Sequence, residues 1–124
     1  MEIITKILNE IMNAKRAGKV ELTVKPVSKL ILKVLDIMKE RDYIEYKVNK
    51  EGFGSITIKI KKLNECRSIT PRFYTKIDEF DKYVRRFLPA REFGMIIVST
   101  DKGVMTHYEA LDQKIGGSLL AYCF

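Results

Sequence analysis

Apolar positions recur at helical spacing along the first fourteen residues. Ile3, Ile4, Ile7, Leu8, Ile11 and Met12 are separated by Lys6, Asn9, Glu10 and Asn13, so residues 2–14 read as an amphipathic helix. AKRAGK follows, and Gly18 suits a left-handed helix end. The pattern then changes to strict alternation: VELTV puts Val20, Leu22 and Val24 on one face of a strand, which Pro26 stops because it donates no backbone hydrogen bond. Ser28 is a suitable N-cap for a second helix whose buried stripe is Leu30, Ile31, Val34, Leu35 and Met38. YIEYKV and SITIKI are two further alternating strands, and the glycines of NKEGFG suit the hairpin loop between them. The order helix-strand-helix-strand-strand describes an α/β lobe over residues 1–62.

Beyond Lys62 the pattern is less regular. KLNECRSITPRF reads as a connecting segment at a lobe boundary, with Pro71 near its end. Phe80, Tyr83, Val84 and Phe87 form an i, i+3, i+4, i+7 stripe, a helix that Asp78 could cap. Core packing explains this aromatic stripe more simply than base stacking does. LPAREFG breaks the helix, and MIIV is a short apolar strand. STDKGVMTH then reads as a polar turn leading into a short helix, because Thr106 and Glu109 fit the T-x-x-E capping box. Gly116 and Gly117 would allow a tight reversal, and SLLAYCF is a final strand, better explained by core packing than as an exposed docking segment at Tyr122 to Phe124. The fold expected is α+β and two-lobed, with a mostly β C-terminal lobe carrying short helices over residues 63–124.

Composition narrows the function. At 124 residues, 46% hydrophobic and 31% charged, the chain has the make-up of a soluble globular protein, and no apolar run approaches the ~18 residues of a membrane span. MEIITKILNE lacks the basic start and continuous apolar core of a secretory signal, which points to the cytoplasm. Cys66, Cys123 and His107 are the only cysteines and histidine, with no ligand spacing among them, so neither a zinc site nor any other cofactor is called for. A Cys/His hydrolase would need His107 beside a nucleophile, and its place at the first position of a short helix favours solvent exposure instead.

Most of the net charge of +7 lies in the first half: residues 1–62 hold fourteen Lys/Arg against eight Asp/Glu, and residues 63–124 nine against eight. Such a basic excess suits a polyanion such as nucleic acid. Lys15, Arg16 and Lys19 cluster at the end of the first helix. Lys25, Lys29 and Lys33 surround the start of the second, where Ser28 and the open N–H groups add neutral phosphate donors. Ser99, Thr100 and Thr106 carry hydroxyls suited to RNA 2′-OH groups and base edges, Gly103 permits close backbone approach, and Lys102 can add a phosphate contact.

GMIIVSTDKGVMTHYEAL and the closing IGGSLLAYCF resemble the signature of the small-ribosomal-subunit protein family numbered eight in bacteria and fifteen-a in eukaryotes. NAKRAGK, VKPVSKLI, DYI, ITPRF and LPAREFG occur in that family's order, the last two resembling its archaeal and eukaryotic branch. The resemblance implies a non-enzymatic component of the cytoplasmic ribosome. It would bind the central domain of small-subunit rRNA as a monomer, beside other small-subunit proteins, and support assembly and the shape of the platform. It places Ser99, Thr100, Lys102, Gly103, Val104, Met105 and Thr106 at an irregular RNA helix, and Pro26, Ser28 and Lys29 at the backbone. Arg72 in ITPRF, Arg91 in LPAREFG and Lys114 complete the expected RNA contacts. Asp101 stands where many relatives are uncharged, and Ser118 where they are often basic. An extraribosomal regulator that binds a messenger RNA mimic of the same site would use the same surface.

Overall fold

The computed structural model describes residues 3–25, 27–52, 54–69, 72–90 and 93–124. The chain divides into two units, Met1–Cys66 and Arg67–Phe124.

In the first unit, α1 (Ile3–Arg16) buries Ile4, Ile7, Leu8, Ile11 and Met12 of the expected stripe, together with Ala14, while Ile3 at the helix start is 41% exposed. β1 (Glu21–Val24) is followed by α2 (Lys29–Glu40), then β2 (Ile44–Asn49) and β3 (Ser55–Ile60). The three strands form an antiparallel sheet of order β1-β3-β2. Val24, Ile56, Ile58 and Ile44 from the sheet are buried, as are Ile31, Val34, Leu35, Ile37 and Met38 from α2, whereas Leu30, expected in that stripe, is only half-buried. Val20 precedes β1 and stays exposed, so the strand face expected to include it is shorter. Tyr46 on β2 donates its hydroxyl to the Asp36 carboxylate of α2. Burial first, and then that carboxylate, pushes the phenol up to about 12, holding it protonated. At the end of the unit, the Cys66 backbone N–H meets Met12 Sδ at 3.3 Å, and its thiol faces the Leu8 carbonyl at 3.8 Å.

α1 and α2 end alike. Lys19 N–H reaches the Ala14 carbonyl and Gly18 N–H that of Lys15, with Gly18 at φ 78°. Tyr43 N–H likewise reaches Met38 and Asp42 N–H reaches Lys39, with Asp42 at φ 60°. These are Schellman caps, which satisfy otherwise orphaned carbonyls by one left-handed residue. Only the glycine announces its cap in the sequence; Asp42, a residue type that visits the left-handed region as a single residue, takes the same conformation.

The second unit contains β4 (Cys66–Ser68), β5 (Tyr74–Thr75), a 3₁₀ turn (Ile77–Glu79), α3 (Phe80–Phe87), β6 (Met95–Thr100), β7 (Gly103–Thr106), α4 (His107–Asp112) and β8 (Gly117–Cys123). Its sheet has the order β4-β8-β6-β7, and β5 also pairs with β8. One face packs against α3 and α4: Ile96, Val98, Met105 and Leu119 meet Phe80, Val84, Leu88, Ile69 and Ala110.

The second unit departs from its sequence pattern in several places. KLNECRSITPRF is not only a connection, since it contains β4, and β5 begins just after it. Asp78 does not cap α3; it lies inside the 3₁₀ turn, and Glu79 is the N-cap residue. Gly116 and Gly117 do not make the reversal, because the left-handed residue that ends α4 is Lys114, at φ 58°. Ile115 N–H bonds to Ala110 and Lys114 N–H to Leu111, a third Schellman cap. The two glycines serve close approach instead. A Cβ on Gly116 would lie 2.5 Å from the Thr75 carbonyl oxygen, and one on Gly117 2.5 Å from that of Ser99.

His107 is also not exposed. It is buried, and its Nδ1 accepts the Ile96 N–H at 3.0 Å, which places the neutral ring's proton on Nε2 and ties α4 to β6.

Candidate nucleic-acid interface

In the first unit, Lys15, Arg16 and Lys19 are exposed around the α1 cap. Two of them lie in the last helical turn, where the macrodipole favours cations. α2 does the reverse. Its first turn has no acidic residue, and exposed Lys29 begins it. Positive charge at a helix N-terminus is disfavoured on its own and is relieved by a bound anion. Ser28 Oγ accepts the Ile31 N–H at 3.2 Å, so it caps the helix while a lone pair and its own proton stay available. Pro26 lies outside the described residues.

In the second unit, the polar turn expected at STDKGVMTH is a β-hairpin. Ser99 and Thr100 belong to β6, only Asp101 and Lys102 form the turn, and Gly103–Thr106 is β7. Thr100 faces Gly103 across the hairpin. Its hydroxyl donates to the Gly103 carbonyl at 2.8 Å and accepts the Lys102 N–H at 3.1 Å, clamping the turn. Gly103 sits at φ 115° with open space where a Cβ would be, so conformation alone demands glycine and the backbone is accessible. Lys102 and Asp101 are both exposed beside it.

Ser99 is different from its neighbour. Alternation points it to the opposite face from Thr100, and its hydroxyl has no hydrogen-bond partner among the described residues. It stands opposite Val104 on β7 and Ser118 on β8, and Ser118 stands opposite Tyr74 on β5. Directly paired residues share a face, so Tyr74, Ser118, Ser99 and Val104 form one row across four strands. Tyr74 is 65% exposed, and the other three are half-buried.

A β-bulge creates this register. Ile97 pairs with Ala121 but Val98 pairs with Leu119, leaving Leu120 as the extra residue on β8. Without it, Leu119 would stand beside Ser99. The row therefore offers an aromatic ring, two hydroxyls without partners among the described residues and an aliphatic side chain at the end of the sheet. Rings stack on unpaired bases, and hydroxyls both donate to and accept from 2′-OH groups and base edges.

A family profile described as Ribosomal protein S8 matches residues 2–124. The chain is also 41% identical, over 127 aligned residues, to the small ribosomal subunit protein uS8 of Archaeoglobus fulgidus, covering 100% of this chain and 98% of the relative. The chain belongs to the ribosomal protein S8 family. This is a family of ribosomal structural proteins, not of enzymes.

Within this S8-family chain, the remaining expected contacts are placed differently. Met105 and Thr106 are each 5% exposed; Met105 packs in the core, and the Thr106 hydroxyl caps α4 by accepting the Glu109 N–H at 3.3 Å. Lys114 and Arg72 are exposed, and Arg91 lies outside the described residues. Among the described residues, no group of three or more His, Cys, Asp or Glu side chains could hold a metal ion, and no helix is long and apolar enough to cross a membrane. Nothing in the local sequence pattern singles out Tyr74, and Ser118 stands where relatives are often basic. Strand register, which links residues far apart in the chain, is the signal that joins them to Ser99.

Proposed function

We propose that the protein is a structural constituent of the small ribosomal subunit that binds the central domain of small-subunit rRNA as a single copy, supporting assembly and the shape of the platform. Membership of the S8 family supports the subunit assignment. The row of Tyr74, Ser118, Ser99 and Val104, with two hydroxyls lacking partners among the described residues beside exposed Lys102, is the observation that carries RNA recognition. Lys15, Arg16, Lys19 and Lys29 of the first unit supply phosphate contacts, and Ser28 adds a neutral donor. Gly103 offers its backbone. Asp101 disfavours phosphate directly at the turn, so the row and not the turn tip carries readout.

The test is binding of an rRNA central-domain fragment with an irregular helix, against a fully paired duplex of equal length, across a salt series. The irregular fragment should win, and affinity should fall linearly with salt on logarithmic axes. Lys29→Ala should weaken both RNAs alike and reduce the slope by about 0.7 to 0.9. Equal binding to both RNAs would overturn shape recognition. Failure to co-sediment with small subunits after a moderate salt wash, with tight binding to a messenger fragment, would favour an extraribosomal regulator instead.

A further inference from the structure

The aromatic stripe of α3 is divided by the fold. Phe80 and Val84 are buried in the core, whereas Tyr83 and Phe87 are half-buried at its margin. Other rings meet them there. Phe73 lies 4.9 Å from Tyr83 between ring centres, and Phe87 stacks on Tyr122 of β8 at 5.1 Å and 17°. Core packing accounts for the inner pair of the stripe and leaves the outer pair at the surface. Beside these rings is a cleft of about 340 Å³, lined by Phe73, Phe87, Tyr122, Arg67, Arg86 and the Ser68 segment of β4.

The polar groups of the cleft are of two kinds. Arg86 is exposed, lies over the Phe87 ring at 5.4 Å and has no carboxylate partner among the described residues. Arg67, also exposed, lines the cleft from β4, and none of the described lining residues is acidic. The second kind is backbone. β4 is the edge strand of its sheet, and the Ile69 N–H bonds to the Leu120 carbonyl of β8 at 2.8 Å. Peptide groups alternate in direction along a strand, so the Ser68 N–H and C=O point away from β8 to the open edge. Rings and guanidinium planes are flat surfaces on which an unpaired base stacks, and guanidinium charge holds its phosphate. A backbone donor and acceptor facing one way suit the adjacent acceptor and donor on a base edge. An acidic peptide would answer the arginines but offers nothing flat to the rings.

We propose that this cleft takes one unpaired nucleotide of an RNA strand, its base against Phe73, Phe87 and Arg86, its edge at Ser68 and its phosphate between the two arginines. The site rests on the reading that the chain binds RNA, yet it shares no residue with the Tyr74 row. Tyr122 stands beside Ile96 on the core face of the sheet, and Ser99 and Ser118 lie on the opposite face. The second unit would then hold RNA by both faces.

The probe is single-stranded hexaadenylate RNA, titrated into the isotope-labelled full chain and followed by amide chemical shifts. Saturable shifts are expected at Ser68, Ile69, Phe73, Phe87 and Tyr122, with little change at Ser99 and Ser118. The same strand without its bases should bind about tenfold more weakly, because stacking is removed while every phosphate stays. Arg86→Gln should lower the salt slope for hexaadenylate by about 0.7 and leave the preference for irregular over paired RNA unchanged. Arg86 is exposed, so the variant's own spectrum will show that the fold persists. Equal binding of the abasic strand, an unchanged slope, or shifts confined to Lys15, Arg16 and Lys19 would overturn the proposal. So would a capped Glu-Phe-Glu peptide that binds the same amides more tightly than the RNA, which would assign the cleft to a protein partner. Cleft shifts without any preference for the irregular fragment would sustain this site and count against the row alone.

Discussion

The helix ends of the first unit and the sheet end of the second carry different kinds of side chain. Lys15, Arg16, Lys19 and Lys29 are long, exposed and charged. Tyr74, Ser118, Ser99 and Val104 are uncharged and held in place by strand pairing. Long charged side chains attract any phosphate, at a strength that salt sets. A fixed row of hydroxyls and a ring rewards one shape and is nearly indifferent to salt. The helices themselves make the same contrast. α3 obeys its macrodipole, with Asp81 in its first turn and Arg85 and Arg86 in its last, whereas α2 has Lys29 in its first turn and no acid there. α3 is satisfied alone, and α2 is better satisfied with an anion at its start.

Three changes would separate the two surfaces. The largest effect is expected from Gly117→Ala, since the new Cβ would sit 2.5 Å from the Ser99 carbonyl oxygen, a backbone atom that cannot swing away. Stability in urea should fall on the order of 3 kcal/mol, and preference for the irregular RNA should be lost while the salt slope survives. Next is the double change Ser99→Ala with Ser118→Ala. Neither hydroxyl has an internal partner among the described residues, so the urea midpoint should hold. Discrimination between irregular and paired RNA should drop by about 1 to 3 kcal/mol as RNA groups are left unpaired; retained discrimination in a competition assay would remove the hydroxyls from the reading. The smallest effect belongs to Thr100→Val. It deletes the two hydrogen bonds that clamp the hairpin and should cost about 1 kcal/mol of stability, with RNA preference shifted far less than in the serine pair.

Local patterns made much of the first unit legible. The stripes of α1 and α2, the Ser28 cap and the β2–β3 alternation all follow from residues a few positions apart. In the second unit the decisive information is long-range. β4 and β5 are three and two residues long and exist because β8 pairs with them. β7 carries a glycine and only four residues, too little for periodicity to register. His107 is buried by a hydrogen bond to a strand eleven residues away. At the candidate site, Ser99 and Thr100 look equivalent on paper. The hairpin turns one hydroxyl inward to its own backbone and leaves the other open, while the ring beside it comes from residue 74.

Leu120 has a wider consequence. Ahead of it in the chain, Ser118 points to the row shared with Ser99 and Leu119 to the core; beyond it, Ala121 and Tyr122 keep step with Ile97 and Ile96. The extra residue changes the parity of β8, so one strand obeys two alternations, one chosen for packing and one for contact. Polar substitutions on the contact side of Leu120 are thereby uncoupled from the packing phase on the other, and the surface can drift while the interior stays in register.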